Sequence, residues 1–138
     1  MGPTLRLDGT DLTLDQFVGL ANGPVDVVVS EEVRARLSEA RSIIDRYLAG
    51  GLPVYGLNTG LGANLGHRLD PAKIPAFQAQ LLRGRMVGAG EPLAPEVSRA
   101  ALIARLIGAS KGGAGLSEVI FDAMVTLVRA GVAPVLPS

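Results

Sequence analysis

A chain of 138 residues with 48% hydrophobic side chains is long enough for one region with a buried core and too apolar for general disorder. Its 13 basic and 13 acidic side chains cancel without a block of like charge, which removes the footprint that nucleic acid or an anionic membrane surface requires. No cysteine is present, so disulfides and thiolate metal sites are excluded, and a reducing, cytoplasmic setting is the expectation.

The Met1–Arg6 start has no apolar h-region and no Ser or Thr at the sixth position, so neither an address nor an anchor is expected. Arg99, Arg105 and Lys111 interrupt the later apolar runs well short of the roughly 20 residues of a membrane span. The positive mean hydropathy instead points to helices apolar on more than one face, as in a chain that packs into an oligomer.

In chain order, Leu5-Arg6-Leu7 and the β-branched run Val25 to Val29 read as brief strands able to pair with each other. Between them, Thr13 starts a short helix that stops at Asn22-Gly23. Ser30 caps a longer helix with Glu31 and Glu32 at the positive end of its dipole. Val33, Leu37, Ala40, Ile44 and Tyr47 lie along one face, so Tyr47 is expected to pack, and Gly50-Gly51 end the element. Glu32 and Arg36 form an i,i+4 pair on a solvated face.

His67 is the single histidine and stands in a polar linker without a second ligand type, so no metal role is expected. Pro75 opens a helix with Phe77, Leu81 and Leu82 that ends near Gly88 and contains Gly84-Arg85. From Pro95 to Ser110, Val97, Ala100, Ala101, Ile103, Ala104, Leu106 and Ile107 cover most of the circumference and predict a buried helix. Ser117 caps the last helix, Leu116 and Phe121 form a hydrophobic staple, and Gly131 and Pro134 end it. Its predicted inner face is Ile120, Met124, Leu127 and Val128.

One stretch fits no period. Val54-Tyr55-Gly56-Leu57-Asn58-Thr59-Gly60-Leu61-Gly62 places three glycines within seven residues, which suits a tight path beside a ligand or another chain, and also an ordinary surface turn. The stretch resembles the tyrosine-bearing loop of the histidine and phenylalanine ammonia-lyases and related aminomutases, Tyr-Gly-x-Asn-Thr-Gly-Phe-Gly. The likeness extends to Gly88-Ala89-Gly90-Glu91-Pro92-Leu93, Lys111-Gly112-Gly113-Ala114-Gly115 and Ala130-Gly131-Val132-Ala133-Pro134-Val135, in the family's order. Leu61 stands where the family has Phe, and Ile107 where it usually has Asn.

The resemblance implies a mainly α fold with a small β portion, the N-terminal part of a fumarase/aspartase-like helical fold, over 1–138 as a single region. It implies elimination of ammonia from an aromatic or similar α-amino acid, with Tyr55 as the base and Gly56, Asn58, Thr59 and Gly60 shaping its loop. Gly62, Gly84 and Arg85 correspond to substrate-binding positions. In the family the pair at Gly84-Arg85 is Ser-His in histidine lyases and Phe-Leu or His-Leu in phenylalanine or tyrosine lyases.

The electrophile of the family is a methylidene-imidazolone formed from Ala-Ser-Gly, with no metal. That tripeptide is not in this sequence, since Ala109-Ser110 is followed by Lys111. A C-terminal complement, as a chain or segment, and an oligomer are therefore implied partners, besides the small amino-acid substrate. Three further readings stay open: an aminomutase of the same family, a non-catalytic helical subunit that only assembles, and an anion-binding module using Arg85. A tyrosine acting as base needs help from a positive neighbour, a hydrogen bond or a helix N-terminus, because its free pKa is about 10.

Overall fold

The computed structural model describes residues 2–64 and 66–138. It is mainly α with a small β portion, as expected, and it divides into two compact units: residues 1–42 with 90–138, and residues 43–89.

The first unit is built on a two-stranded sheet. Strands β1 (Thr4–Leu7) and β2 (Asp26–Val29) pair in parallel, with Leu5 opposite Val27 and Leu7 opposite Val29. A parallel pair needs a crossover to bring the chain back to its starting end. Helix α1 (Leu14–Leu20) supplies it. Its start is fixed by a reciprocal capping box, in which Gln16 N donates to Thr13 Oγ1 at 3.3 Å and Thr13 N donates to Gln16 Oε1 at 2.9 Å. The alternation of the strands sends Leu5, Leu7 and Val27 into the core.

Helix α2 (Glu31–Ala49) begins where Ser30 Oγ accepts from Val33 N at 3.2 Å. Val33 and Leu37 join the core, but no residue of α2 beyond Leu37 is buried. Tyr47 is 46% exposed, so the packing expected of it is not found; the first unit takes in α2 only as far as Ser42.

Helix α4 (Pro95–Ser110) buries one face only, through Ser98, Ile103, Leu106, Ala109 and Ser110, while Val97, Ala101 and Ala104 are exposed. Two of the three apolar residues left outside are alanines, which gain little from burial, and the bulky Ile103 and Leu106 decide which face turns inward.

Helix α5 (Glu118–Arg129) meets expectation at Val128, which is buried, and at Met124, which packs against the core cluster, and departs from it at Ile120 and Leu127. Its inner face is Phe121, Val125 and Val128, whereas Ile120 is 51% and Leu127 41% exposed. The sequence carries two apolar stripes, and the one holding Phe121 wins because the aromatic ring offers the larger area to bury against β2 and α4. The staple is in place, with Leu116 packed against the core cluster that contains Phe121. Gly131 follows the C-cap with φ 67°, and a Cβ there would lie 2.9 Å from Pro24 N, so both conformation and contact require glycine.

Three arginines tie the elements of this unit together by donating to main-chain carbonyls: Arg99 Nε to Ala21 O at 2.6 Å, Arg36 Nη1 to Ser110 O at 3.4 Å, and Arg129 Nη2 to Val27 O. Carbonyls at strand and helix ends thereby gain charge-assisted partners. The ion pair Arg34–Asp122, at 2.8 Å, is half exposed and adds at most about 1 kcal/mol.

The second unit holds the C-terminal turns of α2, single 3₁₀ turns at Gly62–Asn64 and Pro71–Lys73, and α3 (Ile74–Arg85). Asp70 Oδ1 caps the second turn by accepting from Ala72 N at 3.0 Å. Helix α3 stops at Arg85, slightly before the expected Gly88, and none of its residues is buried. Phe77 and Leu81 are half-buried and Leu82 is exposed.

Candidate active-site loop

The stretch 54–62 is a shaped loop, and its first half is a tight turn. Val54 O accepts from Leu57 N at 3.0 Å and from Asn58 N at 3.2 Å, which places Tyr55 and Gly56 at the two central positions. Gly56 has φ 74°, as a type II turn asks of its third residue, and an L side chain there would be strained.

Asn58 closes the neck of this turn from within. Its Oδ1 accepts from Val54 N at 2.7 Å and its Nδ2 donates to Leu52 O at 2.8 Å, so a single amide binds the incoming strand at two points. The outgoing half pairs with the following segment: Leu69 N donates to Asn58 O and Gly60 N to His67 O, both at 3.0 Å, around an antiparallel bridge between Thr59 and Arg68. Thr59 is 2% exposed, and its hydroxyl donates to Gly60 O at 3.0 Å. The single histidine thus serves this segment through its main-chain carbonyl.

Helix α3 meets the loop twice. Phe77 and Leu81 line a crevice of about 380 Å³ together with Gly60, Leu61, Asn64, His67 and Leu69. Gln78 Nε2 donates to Gly56 O at 2.6 Å and to Leu57 O at 3.2 Å. The backbone on both sides of the turn is therefore occupied, whereas Tyr55 itself is 64% exposed. The structure holds the loop and leaves the phenol ring open to whatever approaches.

Gly60 owes its identity to close approach. A Cβ there would meet the Asn64 carbonyl oxygen and would lie 2.7 Å from Asn64 Cβ. Main chain cannot retreat as a flexible side chain can, and overpacking of this kind costs about 1–3 kcal/mol. Gly60→Ala is expected to break the pairing of Gly60 with His67. Amide exchange at Gly60 and Leu69 should accelerate while the amides of α4 and α5 keep their protection; unchanged exchange at Gly60 would show that the loop has room the geometry denies it.

Of the other residues implied as substrate-binding, Gly62 has φ 55°, and a Cβ at Gly84 would meet nothing within 4 Å. Arg85 is exposed at the last position of α3, and among the described residues it makes no ion pair. The loop and α3 are joined through Gln78, which the sequence reading did not single out. A lone glutamine beside an apolar Phe77 carries no pattern that distinguishes it from any solvated helix residue.

A larger crevice, about 590 Å³, lies in the first unit among β1, α1 and α4, and contains none of the residues implied by the loop motif. Among the described residues, no three His, Cys, Asp or Glu side chains gather as a metal ion would need, and no helix is long and apolar enough to cross a membrane. Asp8, in the turn after β1, has its carboxyl held below the usual carboxylate value by the hydroxyl and amide hydrogen bonds of Thr10.

The chain is similar to known proteins along nearly its whole length. Histidine ammonia-lyase of Deinococcus radiodurans is 33% identical over 128 residues, 93% of this chain and 24% of that protein. The crystal structure of ergothionase from Treponema denticola superposes with a TM-score of 0.89 at 30% identity, over 97% of this chain and 27% of that one. Phenylalanine aminomutase of Pantoea agglomerans gives 0.87 at 25% identity, over 99% and 26%. The chain thus spans about a quarter of the length of the relatives it matches. The family profile of the aromatic amino acid lyases matches residues 12–138, nearly all of the sequence, and the chain belongs to that family.

Proposed function

We propose that the chain supplies the catalytic tyrosine loop of an ammonia-lyase acting on an aromatic or similar α-amino acid. The observation that carries this is the turn at Val54–Asn58, braced on its backbone by Asn58 and Gln78, with the Tyr55 ring left exposed. In the elimination, Tyr55 Oη takes the β-proton, the electron pair of that bond forms the α,β double bond, and ammonia leaves. The methylidene-imidazolone supplies the electrophile that makes the amine a leaving group. The Ala-Ser-Gly that forms it is absent from the 138 residues, and neither the exposed Tyr55 nor Gly84, where a Cβ would meet nothing within 4 Å, is covered by the chain's own atoms. Gly56 next to Tyr55 adds no side chain that would keep a substrate from the turn.

An assembly with a C-terminal complement fits the apolar side chains left outside on the first unit, among them Val119, Ile120, Leu127, Val132 and Val135. Aminomutase activity is the second reading, favoured by the superposition on phenylalanine aminomutase. The test mixes the chain with a segment carrying Ala-Ser-Gly and offers a panel of α-amino acids, following the ultraviolet absorbance of the unsaturated acid and the appearance of β-amino acid. Unsaturated acid marks a lyase and β-amino acid a mutase. Neither product from any amino acid, in a complex that sediments as an oligomer, would leave the assembly role in place of the enzyme.

Arg85 decides the substrate class in this scheme. Its guanidinium is a planar fork suited to carboxylates, and no acidic neighbour among the described residues holds it. Arg85→Leu is expected to weaken use of substrates with an acidic or strongly polar side chain by about 2 kcal/mol while improving use of phenylalanine. Relative rates unchanged across the panel would show that Arg85 does not read the substrate.

A further inference from the structure

The turn that carries Tyr55 has two carbonyl oxygens, those of Gly56 and Leu57, that its own hydrogen bonds do not use. Both are taken by one side chain on α3: Gln78 Nε2 donates to Gly56 O at 2.6 Å and to Leu57 O at 3.2 Å. A carboxamide nitrogen has two N–H donors, one for each carbonyl, so the match is complete in number. The side chain is half-buried, which strengthens both bonds. On the opposite side of the turn Asn58 holds Val54 N and Leu52 O. With the backbone pinned from α3 and at the neck, the Cα–Cβ bond of Tyr55 keeps its direction.

We propose that Gln78 is the positioning residue of the tyrosine loop, fixing Tyr55 relative to helix α3. The proposal rests on the reading of Tyr55 as the base. It adds a link between proton transfer and substrate choice, because Gln78 and Arg85 are seven residues apart on α3. Seven residues are nearly two turns, so the two lie within about 20° on one face and roughly 10 Å apart along the axis. The helix that offers Arg85 to the substrate side chain also sets the direction of the group that takes the proton. A misplacement of about 1 Å at such a group costs on the order of 100-fold in rate.

The test uses this chain and the substitution Gln78→Glu, which keeps the size and loses both donors while its carboxyl is ionised. Exchange protection of the Leu57 and Asn58 amides should fall roughly tenfold or more at neutral pH, the loss of two hydrogen bonds. Gly60 and Leu69, paired with His67 and Asn58, should keep theirs. Protection at Leu57 and Asn58 should recover in part as the pH is lowered through the carboxyl range, since the protonated acid regains one O–H donor for one of the two carbonyls. Gln78→Leu should show the same loss without the recovery.

The chain has two tyrosines and no tryptophan, so ring resonances report on Tyr55 with Tyr47 as internal reference. Only Tyr55 should gain mobility. Wild-type protection in Gln78→Glu, or an equal and pH-independent loss throughout residues 43–89, would overturn the proposal. Tyr55→Phe removes no loop hydrogen bond and should leave the exchange pattern intact. Turnover that survives Tyr55→Phe would sink the base assignment and leave the exchange result untouched, so the two failures are told apart.

Discussion

Tyr55→Phe is expected to lower kcat/KM of the enzyme assembled with its electrophile-bearing segment by about 100-fold to 10,000-fold, the usual worth of a positioned proton acceptor. The substitution removes one oxygen. At 64% exposure the ring contributes little to packing, and the turn is held by Val54 O, Asn58 and Gln78, none of which touches the phenol oxygen through its hydrogen bonds. Chain stability and exchange protection should therefore match the wild type, and the loss should fall on kcat rather than KM, because an interaction made only in the transition state is removed. Tyr47→Phe, on the exposed end of α2, serves as control and should be silent. Full turnover in Tyr55→Phe would remove the proton-transfer role.

The second large effect is one of stability. Phe121 has no exposed surface and is the largest fully buried side chain in the core, against β2 and α4. Phe121→Ala is expected to cost about 3–5 kcal/mol, lost transfer energy plus the cavity left in the core cluster that Phe121 shares with β2 and α4. The comparison that makes this informative is Val119→Ala, on the outward face of the same helix at 79% exposure, which should stay within about 0.5 kcal/mol. Denaturant midpoints read both, with an unchanged slope showing that stability alone moved. Equal costs at the two positions would mean that α5 packs both of its apolar stripes.

Much of the frame is legible in the residues. Thr13, Ser30 and Ser117 announce three helix starts because a short side-chain oxygen before an apolar run has few other uses, and the three caps are found. The strands at Leu5 and Val27 are equally plain from alternation and β-branching.

What fails is the choice among apolar faces. Helix α5 shows Ile120 and Phe121 side by side, and hydrophobicity alone does not say which turns inward; the ring does, by area. Helix α4 misleads because alanine counts as apolar in a pattern yet loses little by exposure. Tyr47 continues a stripe whose core ends after Leu37. The loop is legible as a motif, but its bracing by Gln78 joins residues over twenty positions apart in sequence, a contact that no local period encodes.

The division of the first unit into two stretches bears on how the chain is made. Leu5, Leu7, Val27, Val33 and Leu37 leave the ribosome early, whereas Ile103, Leu106, Phe121 and Val125, which complete their core, follow only after the whole of residues 43–89. The strands and the first turns of α2 must therefore wait, uncovered, while the intervening unit is translated. Synthesis proceeds at roughly 5–20 residues per second, so the delay lasts seconds, far longer than helix formation. Residues 43–89, with their short-range contacts, can settle during that interval. The tyrosine loop is then shaped before the core of the first unit has been sealed, and the nascent chain is most exposed to misassociation and to chaperones just before α5 emerges.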